Sequence, residues 1–174
     1  MQEIGRCVLG ICLAIVAAAH VAQAADPAPA AGVELTGWGE PAAADLAVLE
    51  ELEGENLAEA RKEKGTTLEI RGTKKDLDGD AIPELFFFVK HPMFCYEELG
   101  GCTILVVRRA SLVDRWQEIG VLTAAEPSVV VSPARQGDFP ALRPLGSQPY
   151  TWNGRQYEMQ GGPAAAPAAE TSKP

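Results

Sequence analysis

The chain is poor in the side chains that carry most enzymatic chemistry. Its 174 residues include only two histidines, His20 and His91, and four cysteines. No G-x-S-x-G elbow, Walker loop, H-E-x-x-H pair or dinucleotide fingerprint occurs. Ser111, Ser128, Ser132 and Ser147 stand in no recognisable nucleophile setting. The adjacent acids Glu50-Glu51 and Glu97-Glu98 suit a shared acid/base site badly, because neighbouring residues on a strand point to opposite faces. These gaps predict a protein that is not an enzyme.

Basic residues are scarce too: 15 lysines and arginines face 24 aspartates and glutamates, giving a net charge of -9. That balance argues against nucleic-acid binding, which needs a basic patch for the phosphates, and makes a cationic partner the easier fit. Long apolar runs are also missing. The stretch from Cys7 to Ala19 is too short to span a bilayer of roughly 30 Å.

With Arg6 before it and Ala22-Gln23-Ala24 after it, that stretch has the layout of a secretory signal cleaved before Ala25. Leu9-Gly10-Ile11-Cys12 imitates a lipid-attachment box, but Ile11 replaces the small residue such a site uses; lipid modification of Cys12 is the alternative. The expected organisation is a signal peptide (1–24), an Ala/Pro/Gly-rich linker (25–39), one domain (40–160) and a disordered Ala/Pro-rich tail (161–174). The expected location is the bacterial periplasm or the medium, with no stable membrane insertion after signal cleavage. Cys7 and Cys12 leave with the signal, so Cys95 and Cys102 form one disulfide in an oxidising compartment. His91 then stands without triad partners, and a bonded Cys95 is neither nucleophile nor zinc ligand.

Pro41, followed by Ala42 to Lys64 with acids early and Arg61, Lys62 and Lys64 late, predicts a helix. The periodicity slips near Gly54, where a kink is expected. Strands are expected over Thr66–Arg71, Leu85–Lys90, Thr103–Arg109, Trp116–Leu122 and Ser128–Ser132. Tyr150–Trp152 and Gln156–Met159 flank Asn153-Gly154 as a hairpin, with Trp152 and Tyr157 packing across the turn. The predicted fold is α+β: one N-terminal helix on a mostly antiparallel sheet of about five to seven strands. Leu85–Val89 and Ile104–Val107 should be its central pair, because their lack of polar alternation indicates burial on both faces.

Asp76, Asp78, Asp80 and Glu84 sit at positions one, three, five and nine of a loop that turns at Gly79. Carboxylates spaced two apart on a turning backbone can point inward together, and a carbonyl at Ile82 would complete a calcium shell. The loop resembles the D-x-D-x-D-G-x-x-D calcium loops of integrin-type propeller repeats, departing at Ala81 and Glu84. It is no EF-hand, since Phe87 occupies the place of the distal glutamate. The competing reading is an Asx-rich turn whose acids bind backbone amides and whose role is structural. No other cofactor is implied.

Cys95 and Cys102 enclose Tyr96-Glu97-Glu98-Leu99-Gly100-Gly101. With Phe94, Tyr96, Glu97 and Glu98 on it, the stapled loop is a candidate contact surface, since rigid aromatics bind with little entropy loss. The plainer reading is a staple that tidies a long hairpin.

Four pieces carry a resemblance: Asp76-Leu77-Asp78-Gly79-Asp80 with Pro83-Glu84, Cys95 with Gly100-Gly101-Cys102, Gly137 to Leu142, and Trp152-Asn153-Gly154-Arg155-Gln156-Tyr157. Their order resembles a group of small exported bacterial proteins of uncharacterised function, with a D-x-[DN]-G-D-x-x-x-E loop, a Gly-Gly-Cys disulfide hairpin and a terminal W-[DN]-G-x-x-Y. The resemblance spans roughly Leu68 to Tyr157 and implies a periplasmic, non-catalytic domain. The leading functional expectation is a binding protein that contacts an envelope protein through the Cys95–Cys102 loop. The alternatives are an inhibitor or immunity protein against a cationic cell-wall hydrolase, and a calcium-stabilised structural module of the envelope.

Overall fold

The computed structural model describes residues 32–110 and 115–161. The expected signal peptide, the start of the linker at 25–31 and the tail from 162 lie outside the described residues. Among the described residues the elements run β1 (Val33–Glu34), α1 (Ala43–Lys62), β2 (Glu69–Lys75), β3 (Glu84–Lys90), β4 (Cys95–Tyr96), β5 (Gly101–Ala110), β6 (Arg115–Ala124), β7 (Val129–Gln136), β8 (Phe139–Pro144), β9 (Tyr150–Trp152) and β10 (Tyr157–Met159). Single 3-10 turns at Pro92–Phe94 and Glu97–Leu99 flank β4.

Helix α1 forms where alanine, glutamate and leucine dominate, with Asp45 in its first turn and Arg61 and Lys62 in its last, each complementing the helix dipole. It runs through Gly54 without a break, so the slip in periodicity there does not split the helix. Packing explains this: Leu49 and Leu57, on either side of Gly54, are both fully buried against the same sheet.

The α+β class holds, but the strands form two antiparallel sheets instead of one. The first is a meander, β2-β3-β5-β6, with β4 continuing beside β5 beyond the end of β3. The second has the order β1-β7-β8-β9-β10. The meander is the middle layer of three. On one face, Leu85, Phe87, Val89, Leu105 and Val107 pack under α1; on the other, Phe86, Phe88, Ile104 and Val106 meet the second sheet. Strands with apolar side chains on both faces need two covers, and one helix supplies only one. The second sheet supplies the other, contributing Val129, Phe139, Leu142, Tyr150 and Tyr157.

One strand, β8, was hidden by its residues, and β7 runs on past the expected Ser128–Ser132 to Gln136. β8 carries Pro140 and Pro144, and β7 carries Pro133 within a stretch where the β7–β8 register slips. The segment expected as a linker begins the fold early: β1 pairs with β7, Leu35 enters the core, and the Trp38 ring meets Phe86 edge-on at 6.5 Å. The helix is therefore preceded by a short strand. The terminal hairpin turns over four residues, 153–156, rather than at Asn153-Gly154 alone. Asn153 decides this, because its Oδ1 accepts the N–H groups of both Arg155 and Gln156.

Candidate functional site

The acidic loop is the β2–β3 connection. Asp76 accepts the N–H of Gly79 at 2.7 Å and of Ala81 at 3.1 Å, Asp78 accepts that of Asp80, and Asp80 accepts that of Ile82. These bonds form an Asx-type turn without a cation. Gly79 has φ of 90° and Ala81 has φ of 68°, so the turn takes left-handed backbone twice. The second comes at the position where propeller calcium loops carry glycine.

Among the expected calcium ligands, Asp76, Asp78 and Glu84 bring one carboxylate oxygen each within 4.8 Å of one another. Asp80 is outside this group, and Ile82 is engaged through its N–H. Three converging carboxylates are the residues that could hold a hard cation. Glu84 is 2% exposed and accepts the Leu77 N–H at 2.8 Å. Burial pushes its carboxyl up to about 7; the Leu77 hydrogen bond opposes this, and the charges of Asp78 and Asp80 add to it.

Two of the other motif pieces, Gly137 to Leu142 and Trp152 to Tyr157, gather at this end of the molecule. Arg108 stands 4.0 Å from Asp78 and lies over the Phe139 ring at 5.3 Å. Arg135 donates to the carbonyl of Asp138 and, at 3.5 Å, to that of Asp78. Phe139, Trp152 and Tyr157 form one aromatic cluster, with centroids 4.4 to 6.1 Å apart. The Tyr157 hydroxyl donates to the Pro140 carbonyl, and burial holds its pKa well above the usual tyrosine value. Asn153 and Gly154 shape the turn of this hairpin at the surface.

The disulfide loop lies at the opposite end of β3, roughly 20 Å away for seven residues at about 3.3 Å each. Cys95 and Cys102 are bonded and directly opposed in the β4–β5 pair. A Cβ at Gly101 would stand 2.5 Å from the Ala124 backbone, so only glycine lets β5 pass β6 here. Phe94, expected on the contact surface, is instead 7% exposed and belongs to the core under α1. Thr103 pins it by donating to its carbonyl at 2.9 Å. Tyr96 remains 47% exposed and Leu99 56%, and Glu97 and Glu98 are exposed beside them. Met93, which sequence reasoning missed, joins them at 47%. Its signal was the proline before it, which starts a turn that aims Phe94 inward and Met93 outward.

His91 caps that turn: its Nδ1 accepts the Met93 N–H, and its Nε2 lies 2.9 Å from the Thr66 hydroxyl. An accepting Nδ1 places the proton on Nε2, assigned from this network, so His91 donates toward Thr66. Thr66 in turn donates to the Glu63 carbonyl. In that tautomer the imidazole donates to the hydroxyl, and the Glu63 carboxylate lies 3.5 Å from the same nitrogen. His91 forms one wall of a cavity of about 630 Å³, lined also by Thr67, Lys90, Pro92, Cys95 and Glu97.

The chain matches no family model, no curated protein and no solved structure. Among the described residues, no helix is long and apolar enough to cross a membrane.

Proposed function

We propose that this chain is a non-catalytic binding protein of the bacterial envelope, periplasmic or secreted, that engages a partner protein through the Cys95–Cys102 loop. One observation carries the reading. The disulfide fixes a loop at the end of a buried strand pair while Tyr96 and Leu99 keep about half their surface in solvent. Fixing large apolar side chains in the open lowers the entropy lost on binding, and gives the folded chain itself little in return. Exposed Glu97 and Glu98 favour a cationic partner. The secretory layout of residues 1–24 and the motif resemblance support the location.

The test is capture of envelope proteins by the full chain, by Cys95→Ser/Cys102→Ser and by Glu97→Lys/Glu98→Lys. A specific partner retained by the native protein and lost by both variants is expected. Equal retention by all three would remove the reading.

Convergence of Asp76, Asp78 and Glu84 favours a second role: a calcium-stabilised turn that supports the fold. Calcium at millimolar concentration should then raise the melting temperature relative to chelator. An unchanged melting curve counts against it.

A further inference from the structure

Helix α1 packs its buried face on side chains of β3 and β5 and also approaches β6, the edge strand of the middle sheet. In the β5–β6 register, Glu118 stands opposite Val107 and Val121 opposite Leu105, so both share the helix-facing side of the sheet. Both are nevertheless exposed, Val121 by 40%.

The gap between α1, β6 and the disulfide loop is a groove of about 230 Å³. Leu105 and Val121 are on its sheet side, Met93 and Tyr96 come from the disulfide loop, and Glu53 and Glu118 are its acids. Among the described residues no basic side chain lines it, and neither acid has an ion-pair partner within 4 Å. Glu53 instead accepts a hydrogen bond from Asn56. Desolvation raises the Glu118 carboxyl above its usual value, and the charge of Glu53 raises it further. The volume is below the roughly 300 Å³ at which ligand pockets begin, and suits one long side chain.

Resting on the reading of the disulfide loop as a contact surface, we infer that this groove receives a single lysine or arginine side chain from the partner protein. The aliphatic stem would lie on Met93, Leu105 and Val121, and the cationic head would sit between Glu53 and Glu118 with Tyr96 beside it. An apolar wall with two uncompensated carboxylates is complementary to a charge carried on a hydrocarbon stem. A residue with only one of those properties would leave half of the groove unmatched.

The probes are three synthetic heptapeptides, identical except for a central lysine, arginine or norleucine, titrated into the full chain while the Met93 methyl and Val121 resonances are followed. The lysine and arginine peptides should give saturable shifts, with norleucine at least tenfold weaker. Glu53→Gln/Glu118→Gln, whose changes lie at the surface, should lose that tenfold preference while its other resonances stay in place. The inference is overturned if norleucine binds equally, if the double variant keeps its preference, if calcium chloride alone gives the same shifts, or if no peptide binds at millimolar concentration. The loop reading fails separately, when Glu97→Lys/Glu98→Lys and the cysteine variant both retain the envelope partner.

Discussion

Glu84 reaches back across the β2–β3 turn to accept the Leu77 N–H at 2.8 Å, and both residues are almost wholly buried. The folded protein holds the Glu84 proton up to about pH 7, whereas the unfolded chain releases it near the usual 4.5. Between those values the folded state carries the extra proton, so stability falls as pH rises through the window and levels off above it. The loss has a ceiling of roughly 3 kcal/mol. Glu84→Gln keeps an acceptor for Leu77 and removes the charge. Urea unfolding at pH 5 and pH 8 should show the native protein weaker at pH 8 and the variant nearly unchanged.

Ala81 occupies left-handed backbone at φ of 68°. For a residue with a Cβ this conformation costs about 1 kcal/mol or more, which glycine avoids. Ala81→Gly is therefore expected to raise stability by about 1 kcal/mol, partly offset by the greater freedom of glycine in the unfolded chain. Gly79→Ala, at φ of 90°, should lower it. A pair of denaturant titrations decides both signs.

Cys95 and Cys102 are seven residues apart. In the chain-entropy model, closing so short a loop contributes about 2 to 3 kcal/mol. Cys95→Ser/Cys102→Ser should lose that amount and still fold, because Phe94 stays anchored through Thr103 and the apolar core under α1. Amide exchange should quicken over residues 95–102 and stay slow in β3.

Tyr157 packs its ring against Phe139 and Trp152 and spends its hydroxyl on the Pro140 carbonyl. Tyr157→Phe keeps the ring and leaves that buried carbonyl without its partner, a loss of about 1 to 3 kcal/mol. Equal midpoints in urea for the two proteins would show that the hydrogen bond is dispensable.

What was legible in the sequence follows the strength of local patterns. The unalternating runs Leu85–Val89 and Ile104–Val107 identify two-sided burial, and they are the β3–β5 pair at the centre of the middle sheet. The second sheet was harder to see because its strands are short or carry proline, as at Pro140 and Pro144 in β8. Counting faces would have required it, since one helix cannot cover both sides of such strands. The acids of the turn were evident from their spacing, but which three converge depends on side-chain direction, and Asp80 lies outside the group. Phe94 looked like a contact residue from its place beside Cys95, and the turn begun at Pro92 sends it inward. Glu53 and Glu118 carry no motif and are far apart along the chain. Only the β5–β6 register and the course of α1 bring them to one groove.

The doubly covered strand has a consequence before folding. Until both covers arrive, ELFFFV is an apolar, proline-free stretch of high β-propensity, the composition that seeds strand pairing between chains. The three carboxylates of Asp76, Asp78 and Asp80 precede it, Glu84 opens it, and Lys90 and His91-Pro92 close it. Charges and a proline at the borders of such a segment act as gatekeepers against aggregation. The acids that fold into the β2–β3 turn thus also protect the nascent chain, over the interval when its most hydrophobic strand has neither helix nor second sheet to lie against.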